Sequence, residues 1–133
     1  MKTKLLTLAT IALIVLNVSG ALAETCEGGT LQTGENGHVY CQSNSKMNWW
    51  SAYTWCEAQG RHLATMYEVC PTWDGAIGHG KMCNLNSFSN GEGEYNWSST
   101  AFESNYAFSF TKTYVENRGS PRNNIIYCRA LCY

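Results

Sequence analysis

The sequence predicts a single small α+β domain that is exported and held together by disulfide bonds. Three observations support this prediction. A short strand and two helical patterns come first, a long polar loop follows, and strands rich in aromatic residues fill the last third. Seven cysteines all lie after an N-terminal apolar stretch. Charged residues make up only 14% of the chain and apolar residues 44%, which is typical of a folded protein.

The first 23 residues have the pattern of a secretory signal peptide. Two lysines precede an apolar stretch (5–18), and Ala21-Leu22-Ala23 satisfies the small-x-small cleavage rule. A retained signal anchor is the alternative, but a Ser-Gly pair interrupts the stretch just before the cleavage site. The remaining domain, 24–133, contains no second apolar span. We therefore expect a protein that is secreted, periplasmic or held at the cell surface.

The charge balance excludes one large class of function. Removal of the signal takes away two of the nine basic residues and none of the ten acidic ones. The resulting mildly acidic surface lacks the basic stripe that a nucleic-acid-binding protein needs. No nucleotide-binding loop, metalloenzyme motif or paired-carboxylate spacing occurs, so we expect no catalytic residues, no cofactor and no metal.

The N-terminal part of the domain predicts a turn, a strand and a helix. The segment 27–37 is polar and rich in glycine, which predicts a turn, and 38–41 follows as a short strand. Asn48 or Ser51 can cap a helix that runs to about position 59, where Gly60 stops it. The helix has an apolar stripe at helical spacing, which consists of Trp49, Ala52, Trp55, Cys56 and Gln59.

A second, short helix and a long loop occupy the middle of the chain. Thr65 and Glu68 have the spacing of a capping box, and Pro71 limits the helix to about 66–70. From Trp73 to Glu94 the sequence has no hydrophobic period and is rich in glycine. An irregular loop of about twenty residues is long for a compact domain, and such loops are usually functional or disordered.

The last third predicts antiparallel strands. Aromatic residues alternate with small ones at 106–110, and a Gly-Pro-Asn-rich turn at 118–124 precedes the last strand. The predicted strands are 96–100, 106–110, 113–115 and 125–131.

The cysteines predict disulfides rather than a zinc site, because no C-x2-C pair is present and the three histidines are isolated. Seven is an odd number, so at most three disulfides form within the chain. Local geometry favours Cys26–Cys41 across an N-terminal hairpin and Cys70–Cys83 around the glycine-rich loop.

The first long helix carries one further cysteine, Cys56, which we expect to bond to the last strand through Cys132 or Cys128. The other cysteine of that strand is then left over, or it pairs with another molecule. A disulfide-linked partner is therefore one prediction from the odd cysteine count.

The segments around this helix resemble C-type lectin-like domains. The resemblance rests on Asn48–Ala52, Trp55–Gly60, Leu63–Thr65 and Glu68, where an aromatic helix ending in Cys and Gly precedes a Leu-Ala pair and a second helix. The later segments Trp97–Thr100 and Cys128–Cys132 look more like the bacterial branch, which includes secreted or pilin-attached domains and the C-terminal domain of collagen-like adhesins. The family implies that the first and last strands pair, and that a disulfide joins the helix to the last strand.

The chain departs from the family in the sugar site. Calcium-dependent members carry a Glu-Pro-Asn or Gln-Pro-Asp triplet in the long loop and Trp-Asn-Asp on the next strand. This sequence has Asn96-Trp97-Ser98 instead, and its long loop contains no proline after Pro71. The resemblance therefore does not predict a calcium-bridged sugar site, since function belongs to sites rather than to folds.

The long loop and the strand after it supply the candidate ligand-binding residues. Oxygen donors in the loop could hold calcium, but their spacing matches no calcium loop, and a solvated polar loop is the simpler interpretation. Loop and strand aromatics, Phe88, Tyr95 and Phe102 among them, could form a platform for a sugar ring or belong to the core. The predicted ligand-binding set is Trp73, Asp74, Asn86, Asn90, Glu92, Glu94, Asn96 and Trp97.

Taken together, these features predict a non-enzymatic, exported binding module. Its expected partner is a glycan or a cell-surface protein, bound through the long loop, with no nucleic acid involved and no membrane span after signal cleavage. The alternative is a structural or assembly subunit of a cell-envelope or surface-appendage complex.

Overall fold

The computed structural model describes residues 24–79, 83, 88, 94–104, 106–111, 114–118 and 128–133. The predicted signal peptide, 1–23, lies outside them. Within the described residues, seven strands form one sheet and two helices pack beside it, so the predicted α+β class is confirmed. The elements in chain order are β1 (Gly29–Thr33), β2 (Val39–Met47), α1 (Trp49–Ala58), α2 (Met66–Val69), β3 (Gly78–His79), β4 (Tyr95–Glu103), β5 (Tyr106–Phe110), β6 (Tyr114–Arg118) and β7 (Cys128–Cys132).

The sheet joins the two ends of the domain at its centre. The strand order is β1-β2-β7-β4-β5-β6-β3, and every neighbouring pair is antiparallel except β4 with β7. Cys41 on β2 lies opposite Cys132 on β7, and a further bridge connects Leu63 to Cys132. The late strand β7 therefore holds an early strand and the segment after α1 together.

The predicted N-terminal turn at 27–37 is wrong at 29–33, because Gly29–Thr33 is strand β1. A Cβ at Gly29 would lie 2.4 Å from the Gln42 carbonyl oxygen and 2.7 Å from Cys26 Sγ. This glycine therefore permits close approach of two strands and a disulfide. The true turn is short: the Gly34 N–H donates to the His38 carbonyl at 2.8 Å.

Strand β2 runs six residues beyond the predicted end at position 41, through polar residues that the sequence pattern does not assign to a strand. Gln42 and Ser43 are buried, and their side chains are satisfied by the strands around them. Ser43 Oγ accepts the Ala130 N–H at 2.9 Å, and Gln42 Nε2 donates to Asn96 Oδ1 at 2.6 Å. Long-range hydrogen bonds thus outweigh a weak local strand propensity.

Both helices begin and end where their capping residues predict. The Asn48 side chain accepts the Ser51 N–H at 2.8 Å, which settles the choice of N-cap for α1. Gly60 has φ of +70° and lets the Arg61 N–H reach back to the Cys56 carbonyl at 3.0 Å. For α2 the capping box is complete, because Glu68 Oε2 accepts the Thr65 N–H at 2.7 Å while Thr65 Oγ1 accepts the Glu68 N–H at 3.0 Å.

The core has two parts, one on each face of the sheet. The buried face of α1 packs with Ala130 and Cys132 of β7, whereas the intervening Leu131 belongs to the cluster that contains α2 residues. Successive residues of a strand point to opposite faces, so β7 is buried on both sides. The α1 cluster contains Trp49, Ala52, Cys56, Leu63 and Trp97; the second contains Tyr40, Met66, Trp73, Phe88, Phe108 and Phe110.

Three disulfides connect six of the seven cysteines, all of which lie in the described part of the chain. Cys26–Cys41 and Cys70–Cys83 form as predicted, and the partner of α1 in the last strand is Cys132, through Cys56–Cys132. Three disulfides are typical of an oxidising, extracellular environment.

The seventh cysteine, Cys128, has no exposed surface and forms none of these disulfides. Its sulfur therefore lies in the core rather than where another chain could bond to it. None of the described helices has the length and hydrophobicity needed to span a membrane.

Candidate functional site

The five predicted ligand-binding residues that the structure describes do not converge on one surface. Asn96 is 2% exposed, and its side chain is bonded to Gln42 and to the Phe88 carbonyl oxygen. Trp97 is fully buried, and its indole N–H donates to the Met47 carbonyl at 2.8 Å. Both residues lie on β4, which is enclosed by β7 and β5. Their side chains serve the core and do not reach a ligand on the surface, contrary to the role expected for them.

Glu94 is also engaged within the protein. Its two carboxylate oxygens accept from Arg129 Nε at 3.1 Å and Arg129 Nη2 at 3.4 Å, and Lys46 Nζ lies 3.9 Å away. The same guanidinium donates to the Ser43 carbonyl at 3.0 Å and to the Asn44 carbonyl. Glu94 therefore acts as the counterion of an arginine that links β2 to β7.

The long loop is anchored to the core at Phe88. The phenyl ring is 2% exposed and packs perpendicular to Tyr40 at a centroid distance of 5.0 Å. Its carbonyl oxygen accepts from Gln42 Nε2 at 3.0 Å. A Cβ at Gly34 would lie 3.2 Å from the ring, so glycine leaves the space that the ring needs. Three predicted loop ligands lie outside the described residues: Asn86, Asn90 and Glu92.

Trp73 and Asp74 form a closed turn at the start of the loop. The Trp73 indole N–H donates to the Ala76 carbonyl at 3.0 Å, and Asp74 Oδ1 accepts the Ala76 N–H at 3.0 Å. Gly75 has φ of +81°, a conformation that other residues rarely adopt. Asp74 is exposed, but Trp73 is only 5% exposed, so its indole does not form an open platform.

Trp73 is instead an inner member of a row of four aromatic rings, here called the aromatic row. Its members are Tyr67, Trp73, Phe108 and Phe102. Neighbouring centroids are 5.2, 4.8 and 5.4 Å apart along the row, with interplanar angles of 53°, 79° and 84°. The two inner rings are buried, whereas the outer rings, Tyr67 and Phe102, are 53% and 42% exposed. Edge-to-face contacts of this kind fix the orientation of each ring.

Local structure explains why the outer rings face solvent. The capping box fixes the phase of α2, which buries Met66 and Val69 and leaves Tyr67 pointing outward. Phe102 lies near the end of β4, beyond a register shift between Trp97 and Ala101. The sequence pattern indicates Phe102 as a possible platform residue but does not single out Tyr67. The capping box, which fixes the phase of α2, is the signal that predicts the exposure of Tyr67.

A second group of polar side chains surrounds Tyr133. A hydrogen bond of 2.9 Å joins its hydroxyl to His38 Nδ1, and its ring lies edge-on to His62 at 5.7 Å. His62 Nε2 lies 2.8 Å from Glu68 Oε1, and the His62 side chain is 54% exposed. No group of three metal-ligating side chains occurs among the residues that the structure describes.

Tyr40 lies beneath this group and is fully buried. Its hydroxyl donates to the Glu68 carbonyl at 2.8 Å and accepts from Asn36 Nδ2 at 2.9 Å. Burial raises the pKa of the Tyr40 phenol above its ordinary value of 10.0. The group is built to hold the β1–β2 turn against α2.

Comparison with protein-family models, with characterised proteins and with solved structures finds no match to this chain. The site is therefore interpreted from its own geometry.

Proposed function

We propose that this chain is an exported C-type lectin-like module that binds a glycan, with the aromatic row as its contact surface. Two features of the fold support the proposal. An early strand, β2, pairs with the late strand β7, and Cys56–Cys132 ties α1 to β7. The disulfide is what the resemblance of the α1 segment to that family implies. The strand pairing matches it for the first strand that the sequence predicts, 38–41, which is part of β2, whereas β1 pairs with β2 alone.

The exposure of Tyr67 and Phe102 is the observation that carries the binding proposal. One face of a pyranose ring is lined by C–H groups and packs against aromatic rings, which lose exposed apolar surface in the contact. The buried rings of Trp73 and Phe108 hold the two outer rings in place, so little side-chain freedom is lost on binding. The adjacent carboxylate of Asp74 offers a hydrogen-bond acceptor for sugar hydroxyls.

The proposed mode of binding does not depend on a metal ion. It relies on aromatic contact and direct hydrogen bonds, in line with the missing calcium triplets in the sequence. Binding is therefore expected to persist in a chelator.

A glycan array, read with calcium and with chelator, tests the proposal. We expect a small set of glycans to bind under both conditions, and Tyr67→Ala or Phe102→Ala to weaken the binding by about tenfold or more. Trp50→Ala is the matched control, because Trp50 is 54% exposed on α1 and lies outside the row. Equal losses in all three variants, or binding only with calcium, would contradict the proposal.

One observation favours the alternative function, a structural or assembly subunit. Strand β1 lies at one end of the strand order and exposes Leu31 at 39%. An edge strand of this kind can pair with a strand of a neighbouring subunit. Light scattering after size exclusion tests this: concentration-dependent oligomers that disappear in Leu31→Lys would support assembly, and a monomer at all concentrations would argue against it.

A further inference from the structure

The Cys70–Cys83 disulfide has one accessible sulfur-bearing residue. Cys83 is partly exposed, whereas Cys70 is 1% exposed. The Cys56–Cys132 disulfide has no exposed surface on either residue. Cys26 is also partly exposed, so accessibility alone leaves two disulfides open to attack.

Hydrogen-bond donors distinguish Cys70–Cys83 further. The Cys83 backbone N–H donates to Cys70 Sγ at 3.0 Å. The Thr72 hydroxyl lies 3.7 Å from Cys70 Sγ and 3.3 Å from Cys83 Sγ. Thiol–disulfide exchange needs an accessible sulfur for the attack and a leaving sulfur that tolerates negative charge. Cys83 is the more exposed residue of the pair, and the Cys83 backbone N–H, which donates to Cys70 Sγ, stabilises negative charge on Cys70 as the leaving sulfur.

We propose that Cys70–Cys83 is an exchange site for small-molecule thiols, with Cys83 as the residue that becomes modified. The thiolate of the incoming thiol attacks Cys83 Sγ and forms a new S–S bond with it. The Cys70–Cys83 bond breaks, and Cys70 leaves as a thiolate that takes up a proton from solvent. A second thiol molecule can then attack the mixed disulfide, which releases Cys83 as a thiol and the small molecule as its own disulfide.

Exchange at this disulfide changes the support of the aromatic row, and this second part of the proposal rests on the proposed function. The disulfide closes the segment 70–83, which contains Trp73 and Asp74. The Trp73 backbone N–H donates to the Cys70 backbone carbonyl at 3.0 Å, so the backbone that carries the ring is tied to a residue of the disulfide. Opening the disulfide removes a covalent constraint on the turn that supports Tyr67, and thereby weakens a preorganised surface.

Graded glutathione buffers and differential alkylation test the chemistry on the full domain without any glycan. Mass spectrometry should find glutathione on Cys83 and a thiol at Cys70 before Cys26, Cys41, Cys56 or Cys132 reacts. Adducts mainly on Cys70, or earlier opening of Cys26–Cys41, would overturn the proposal.

The effect on the turn is tested in the double variant Cys70→Ser/Cys83→Ser, which keeps the other two disulfides. Chymotrypsin should cut after Trp73 in this variant and in the glutathione adduct, but not in the untreated protein. Glycan affinity, where a glycan binds the untreated protein, should fall by about tenfold. Exchange at Cys83 with no new cleavage would overturn the proposal that the disulfide controls the turn and the aromatic row. If no glycan binds, the proposed function is contradicted, while the adduct mapping still decides the exchange site and the cleavage result still decides its effect on the turn.

Discussion

Removal of the Cys56–Cys132 disulfide should destabilise this protein more than removal of either of the other two disulfides. The loss of stability follows from the length of the loop that the bond closes. The two cysteines are 76 residues apart, against 15 for Cys26–Cys41. In the chain-entropy treatment these separations give about 4.5 and about 3 kcal/mol of stabilisation at 25 °C. A loss of about 4.5 kcal/mol is a large share of the stability of an ordinary domain.

Paired alanine substitutions allow the comparison without leaving a lone thiol. Urea unfolding of Cys56→Ala/Cys132→Ala and of Cys26→Ala/Cys41→Ala gives the two free energies of unfolding against the parent. We expect the first variant to lose more, by at least the difference of about 1.5 kcal/mol, because both of its sulfurs are also fully buried. Equal costs, or a larger cost for the N-terminal pair, would refute the loop-closure reasoning.

Three other substitutions probe single features. Ser109→Ala should leave the melting temperature unchanged or raise it, because the buried Ser109 hydroxyl has no hydrogen-bond partner among the described residues; a fall of several degrees would reveal a hidden partner. Glu94→Ala should lower the free energy of unfolding in urea by about 1–3 kcal/mol, since it leaves the Arg129 guanidinium without its carboxylate. The control Asp74→Ala should lower it by less than about 1 kcal/mol. Equal costs would contradict the assignment of Glu94 to the core network. Because burial raises the pKa of Tyr40, the contribution of its neutral phenol to stability is complete below pH 10.0 and is lost as pH rises above that value. In alkaline urea titrations the free energy of unfolding of Tyr40→Phe should therefore fall less steeply with pH than that of the parent. Parallel curves would exclude Tyr40 as the cause of the alkaline loss of stability.

Sequence alone predicts the parts of this fold whose signals are local. An N-cap at Asn48 or Ser51, of which the structure selects Asn48, the stop at Gly60 and the capping box of α2 each depend on residues within one turn of the helix end. The two short-range disulfides follow from the same kind of proximity. The choice between Cys132 and Cys128 required the register of β7 against β2, which only the folded sheet provides.

The features that the sequence missed depend on contacts between distant segments. Strand β1 looks like a turn because Gly29 is needed for close packing against Gln42, some thirteen positions later. Asn96 looks like a loop ligand because its polar partner, Gln42, is 54 residues away. In the candidate site, the exposure of Tyr67 could have been inferred from the capping box, but its neighbours Trp73 and Phe108 come together only through tertiary packing.

The central place of β7 determines the order in which this protein can mature. The segments that carry Cys26 to Cys83 are synthesised before residues 128–132, yet Cys56 has its partner only there. Until then Cys56 is a reactive thiol 14 positions from Cys70, in a chain whose sheet lacks its middle strand. Mispairing at that stage must be undone before the sheet can close, so we expect a disulfide isomerase to speed oxidative folding.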